Sequence, residues 1–84
     1  MFFYTYVLEL GNKDLYVGST TNLKTRLNQH LAGKVDSTKF LLPLRLIYYE
    51  ACLSHTGAIS REKQLKTGYG RAYIKRRLQQ CGIV

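Results

Sequence analysis

The stretch Phe3-Tyr4-Thr5-Tyr6-Val7-Leu8-Glu9-Leu10 runs into Gly11-Asn12-Lys13-Asp14 and resumes as Leu15-Tyr16-Val17-Gly18. Aromatic and β-branched side chains suit a pleated, half-buried surface. A Gly/Asn/Asp cluster between two such runs is the chemistry of a tight reversal, so the spacing predicts a β-hairpin over 3-10 and 15-18. Alternation places Tyr4, Tyr6 and Leu8 on one face of it. A third strand is expected at 44-50, where Leu44-Arg45-Leu46-Ile47-Tyr48-Tyr49-Glu50 follows Pro43, a residue tolerated at a strand's start. Between strands two and three, Ser19-Thr20-Thr21-Asn22 supplies capping oxygens, and Leu23, Leu27 and Leu31 recur four apart, which predicts a helix over about 22-32. Ser54 to Thr56 can cap a second helix over about 56-67 that carries Ala58, Ile59 and Leu65 and ends at Thr67-Gly68. A third helix, with Ile74 and Leu78 four apart, is expected from near Arg71 to before Gly82. The order ββαβαα implies an α+β fold, a small three-stranded antiparallel sheet covered by helices.

The chain has 84 residues, of which 45% are hydrophobic and 12% aromatic. That composition excludes a disordered polymer and leaves room for one small core, so a single domain over 1-84 is expected. No apolar run approaches the roughly 18 residues that span a bilayer. Met1-Phe2-Phe3-Tyr4 lacks the basic start of a secretory leader, and Glu9 interrupts the apolar stretch behind it. A soluble, unprocessed protein with no membrane partner follows as the expectation. Cys52 and Cys81 form neither a CxxC pair nor a disulfide framework, which points to free thiols and a cytoplasmic location. Thirteen Lys+Arg against five Asp+Glu give a net charge of +8. So basic a surface on so small a chain attracts polyanions, nucleic acid foremost, by Coulomb focusing and counterion release.

Polar residues on faces that should be apolar narrow the chemistry. On helix one, steps of about 100° put Leu23 at 0°, Leu27 near 40°, His30 near 340° and Arg26 near 300°, so Arg26 and His30 flank the buried stripe. On helix two the same arithmetic puts Glu62 near 40°, between Ala58 and the outer edge of the stripe. An inward carboxylate costs several kcal/mol unless a cation or hydrogen bonds compensate it. Two compensations are open: a structural ion pair with Arg26 or another base, or a hard divalent cation of the kind that serves phosphates. Tyr4, Tyr6 and Tyr16 add phenols from one hairpin. The spacing of Cys52, Cys81, His30 and His55 matches no zinc site, and no GxxxxGK[ST], GxGxxG or GxSxG occurs.

Taken in order, these residues resemble the GIY-YIG nuclease superfamily, in its small stand-alone single-domain branch, over essentially the whole chain. The two eponymous tripeptides read here Thr5-Tyr6-Val7 and Tyr16-Val17-Gly18. The run Leu15 to Leu23, then Arg26-Leu27, His30 and Gly33-Lys34, is similar to the family's second strand, arginine helix and following loop. Arg61-Glu62-Lys63-Gln64-Leu65-Lys66 is similar to its glutamate helix, and Thr67-Gly68-Tyr69-Gly70-Arg71 to the turn behind it. The resemblance implies that Tyr6 and Tyr16 are the motif tyrosines, Arg26 the catalytic arginine, His30 their active-site partner and Glu62 the sole protein ligand of one Mg²⁺ or Mn²⁺. It implies that Tyr6, or His30 acting with it, accepts the attacking water's proton and that Arg26 clamps the phosphate. A phenol with a pKa of about 10 is a poor base at neutral pH unless nearby cations lower it, a chemical reason for Arg26 and a metal beside it. Thr5 departs from the family's glycine. Lys34, Lys66, Arg71, Lys75, Arg76 and Arg77 are candidate nucleic-acid contacts, or else a solvated cationic surface. The implied activity is a metal-dependent DNA endonuclease or nickase of low intrinsic sequence specificity, with specificity from a protein partner. The alternative is a nucleic-acid-binding module of the same fold without catalysis.

Overall fold

The computed structural model describes residues 1–80. Its elements are β1 (Phe3–Glu9), β2 (Leu15–Thr20), α1 (Leu23–Leu31), β3 (Arg45–Cys52), α2 (His55–Leu65) and α3 (Gly68–Gln80), in the expected order ββαβαα. The three strands form one antiparallel sheet in the order β2-β1-β3. β1 is therefore the central strand and β2 an edge. Asn12 and Asp14 close the hairpin: the Asn12 side chain accepts from the Asp14 amide at 3.0 Å, and the Leu10 amide donates to the Asp14 carbonyl at 2.9 Å.

Because successive side chains of a strand point to opposite faces, β1 supplies two cores at once. On one face Tyr6, Leu8, Leu10 and Leu44 pack with Leu23 and Leu27 of α1. On the other, Val7, Val17 and Ile47 pack with Leu65 of α2 and Ile74 of α3. Helices thus lie on both faces of the sheet, each element burying a single stripe.

Several boundaries differ from the sequence expectations. In α1 the buried stripe is Leu23, Leu27 and His30, while Leu31 is 49% exposed and His30 fully buried. Leu31, about 80° from Leu23, falls on the rim, and His30, about 20° away on the other side, takes its place. Asn22 alone caps α1, accepting from the Thr25 amide at 3.1 Å; Ser19 and Thr20 still belong to β2. In α2 Ala58 and Leu65 are buried and Ile59 is half exposed. β3 continues to Cys52, and α3 begins at Gly68 rather than near Arg71. Thr67 starts α3 by accepting from the Gly70 amide at 3.1 Å while donating to the Gln64 carbonyl at 2.7 Å. Gly70 then lies so close to the Gln64–Leu65 backbone that any Cβ would overlap it. The expected stop at Gly82 and the thiol of Cys81 lie outside the described residues. On the outer side, Arg61 of α2 grips Glu50 of β3 (Nε to Oε2 2.9 Å, Nη2 to Oε1 2.8 Å) and lies over the Tyr73 ring of α3 at 4.7 Å, tying three elements together.

Candidate active site

Tyr6 sits opposite Gly18 in the β1/β2 pairing. Glycine is needed there, because a Cβ at position 18 would come within 2.5 Å of the Tyr6 hydroxyl. The phenol crosses this gap and reaches the sheet margin while the ring stays 1% exposed. From α1, His30 brings its Nε2 to 2.9 Å from the Tyr6 hydroxyl, and its Nδ1 lies 2.8 Å from Oγ1 of the buried Thr38. Tyr16 completes a knot of rings, with its centroid 5.1 Å from His30 and 6.3 Å from Tyr6. One helical turn before His30, Arg26 places its guanidinium beside the two phenols and donates to Gln29 at 3.1 Å.

Electrostatics divide these groups into roles. Burial pushes the Tyr6 phenol above its ordinary 10.0, and the Arg26 guanidinium pulls against that rise without cancelling it. Arg26 does lower the phenol, but in the chain by itself loss of water outweighs it. Burial, helped by the Arg26 charge, pushes the His30 imidazolium below 6.5, so His30 is neutral at pH 7, with one ring N–H and one lone pair shared between its two hydroxyl partners. The Tyr6 hydroxyl in turn raises the already high Arg26.

Glu62 comes from the opposite face of the sheet. Ser19, next to Gly18 on the edge strand but pointing the other way, donates to Glu62 Oε1 at 2.6 Å, and Lys66 Nζ lies 2.7 Å from Oε2. Burial works against the Glu62 charge, yet Lys66 and Ser19 hold its carboxyl below 4.5. Of the two compensations open in the sequence, an ion pair forms, and its base is Lys66 rather than Arg26. The charge of Glu62 is still felt by Tyr6, whose phenol it raises. Among the described residues no three His, Cys, Asp or Glu gather around one point. One ionised, partly exposed carboxylate, with its inner oxygen fixed by Ser19, fits a hard cation that takes most of its oxygens from water and phosphate.

Thr5 is a structural residue: buried, on the α2 face, it donates to the Ala58 carbonyl at 3.1 Å. Its departure from glycine therefore lies on the far side of the strand from the Tyr6 ring. Of the basic candidates, Lys66 and Arg71 line a small cavity of about 210 Å³ with Tyr16 and Leu65, adjoining the site. Lys34 lies exposed in the loop after α1. Lys75 lies near Glu9, Lys13 and Leu15 at the hairpin end of the sheet, four residues along β2 from Ser19. Arg76 and Arg77 are exposed on α3, Arg77 donating to Gln80 at 3.2 Å. Tyr4 lies beyond the knot, its ring 6.1 Å from Tyr49. Two site residues escape the sequence reading. Ser19 was legible by parity, since odd positions of β2 face α2. Thr38 sits in an irregular loop and had no periodic signal.

Comparison with known proteins agrees with this geometry. The model of the GIY-YIG catalytic domain matches residues 2–79. UPF0213 proteins of Streptococcus pyogenes serotypes M5 and M2 are each 48% identical over 64 residues, 75% of this chain and 70% of theirs. The solution NMR structure of a UPF0213 protein from Bacillus halodurans superposes with a TM-score of 0.59 at 28% identity, covering 90% of this chain and 84% of that one. With the two tyrosine strands, the arginine helix and the glutamate helix all in place, the chain belongs to the GIY-YIG catalytic domain family.

Proposed function

We propose that this chain, as one domain over 1–84, is a divalent-metal-dependent endonuclease or nickase that hydrolyses nucleic-acid phosphodiesters, DNA foremost, in the cytoplasm. Its intrinsic sequence specificity is low, and a protein partner supplies what specificity there is. One observation carries the reading: a Tyr–His hydrogen bond and an arginine on one side of an edge strand, an ionised carboxylate on the other. Hydrolysis needs a proton acceptor for the attacking water, a cationic clamp for the phosphate, and charge stabilisation at the leaving oxygen. Tyr6 is a neutral phenol at pH 7, so it acts as base by passing its own proton to the free lone pair of His30 while it takes the water's. Arg26 offers a planar fork of donors to the phosphate oxygens. Tyr16 holds the other flank of the phosphate by its hydroxyl. Glu62 would hold the single Mg²⁺ or Mn²⁺, which supplies Lewis-acid stabilisation of the leaving 3′ oxygen when bound. Lys34, Lys66, Arg71, Lys75, Arg76 and Arg77 extend the basic track for the strand.

The test is incubation of labelled single-stranded, duplex and branched DNA, and of RNA, with Mg²⁺, Mn²⁺ or EDTA, comparing the native chain with Glu62→Gln. Glutamine keeps an oxygen for Ser19 and loses the charge, so the variant is expected to melt within about 1 kcal/mol of the parent and to lose metal-dependent cleavage. Undiminished cleavage by Glu62→Gln excludes it as the essential ligand. Salt-sensitive DNA binding by a native chain that cuts nothing selects the binding module.

A further inference from the structure

The Thr38 side chain is wholly buried, yet its hydroxyl has one recorded partner among the described residues, Nδ1 of His30 at 2.8 Å. The loop around it is built to hold it: the Thr38 amide donates to the Val35 carbonyl at 3.0 Å, its carbonyl accepts from the Leu41 amide at 2.9 Å, and the Leu41 carbonyl is anchored by the Gly11 amide at 2.7 Å. The imidazole is thus held between two hydroxyls, Tyr6 at Nε2 and Thr38 at Nδ1. A neutral imidazole has one N–H and one lone pair, so one hydroxyl donates to it and the other accepts. A phenol is far more acidic than an aliphatic alcohol and is the better donor, so it takes the lone pair at Nε2, and the Nδ1–H is left for Thr38 Oγ1. We propose that Thr38 is a positioning residue that fixes His30 as the Nδ1–H tautomer, with the Nε2 lone pair aimed at the Tyr6 hydroxyl. This rests on the nuclease reading for its catalytic meaning, but not for its structural content.

The proton balance is closed. The attacking water gives its proton to the Tyr6 oxygen, and the Tyr6 proton passes to His30 Nε2, forming an imidazolium whose Nδ1–H stays on Thr38 Oγ1. The groups that face His30 are Tyr6 from β1, Tyr16 from β2 and Arg26 from its own helix. None of them offers a carboxylate that could take the Nδ1–H in place of Thr38.

Two measurements on the full chain test the assignment. Long-range ¹H–¹⁵N NMR correlations read the His30 tautomer directly. The native protein is expected to show a protonated Nδ1 and a pyridine-like Nε2. Thr38→Val, of nearly equal shape, is expected to lose that signature, and Thr38→Ser to keep it. In single-turnover DNA cleavage with Mn²⁺, corrected for the folded fraction from a melting curve, Thr38→Val should be slower by on the order of 10²-fold, with Thr38→Ser near the native rate. Native His30 in the Nε2–H tautomer, or native-rate cleavage by Thr38→Val, overturns the proposal. A native chain with the Nδ1–H tautomer that cleaves no nucleic acid sinks the nuclease reading instead and leaves the hold of Thr38 on the ring standing.

Discussion

Arg26 lies beside phenols, whereas Lys66 pairs with a carboxylate. Its guanidinium faces Tyr6 and Tyr16, while the Glu62 carboxylate is taken by Lys66 and Ser19. A core ion pair with Glu62 is therefore removed as a reason for this arginine, and the phosphate clamp of the proposed function is the role to test. Lysine at this position keeps the charge but loses the planar fork. Arg26→Lys is expected to fold and to bind DNA almost as the parent does, while slowing the chemical step by about 10²-fold, as does loss of one preorganised donor. A melting curve and a single-turnover time course on the same preparation check this. A destabilised variant that cuts at the parental rate sinks the clamp. Arg26, His30 and Glu62 were all legible in the sequence as polar residues on apolar faces. The base that pairs with Glu62 was left open in the sequence, because only the fold shows that its i,i+4 neighbour Lys66 reaches it.

The elements themselves came through by periodicity, with Leu31 and Ile59 misplaced on exposed rims, and the boundary errors fell where periodicity carries no information. Helix α3 begins early because Thr67 and Gly70 form a cap and a backbone contact, which sequence reads as a turn. The segment between α1 and β3 has no repeat at all, although it holds Thr38 in place by its own main chain. Strand β2 carries the densest information: Tyr16 and Gly18 face α1, Ser19 faces α2, and all three serve the site. Gly18→Ala tests that strand as a unit. The added methyl meets a phenol that its ring packing and His30 hold fast, so a stability loss of about 1–3 kcal/mol is expected. Displacement of the Tyr6 hydroxyl should also slow cleavage by about 10²-fold, the effect of misplacing a reacting group by roughly 1 Å. Denaturant melts and single-turnover rates report the two effects separately; an alanine variant with both unchanged contradicts the tight crossing of Tyr6 over β2.

At the scale of the molecule, Lys13, Lys39, Arg45, Arg61 and Lys66 are each within 4 Å of a carboxylate. Arg26 beside the phenols and Arg71, Lys75, Arg76 and Arg77 on the exposed side of α3 are among the cations without such a partner in the described residues. Titration of the whole fold follows from its shifted groups. His30, Glu50 and Glu62 are all held below their ordinary values, so the unfolded chain binds more protons than the folded one in acid. Their stabilisation is complete above about pH 6.5 and is lost first through His30, then through the glutamates, as pH falls. Tyr6 and Tyr48 are pushed above 10.0, so their contribution is lost as pH rises beyond that value. The Tm is expected to be flat from about pH 7 to 9 and to fall on both sides, with His30→Gln removing the step near pH 6.5. Calorimetry across pH 4.5–11 measures it, and a Tm that climbs from pH 8 to 5 contradicts the buried neutral histidine. The placement of Glu62 also has an evolutionary consequence. Its carboxylate meets Ser19 and Lys66, and one nucleotide change turns a glutamate codon into one for glutamine. On the nuclease reading, descendants of such a sequence can therefore pass from cutting nucleic acid to merely holding it in a single heritable step, at a small cost in folding stability. On that reading, the residue at this one position separates the two trades before any protein is made.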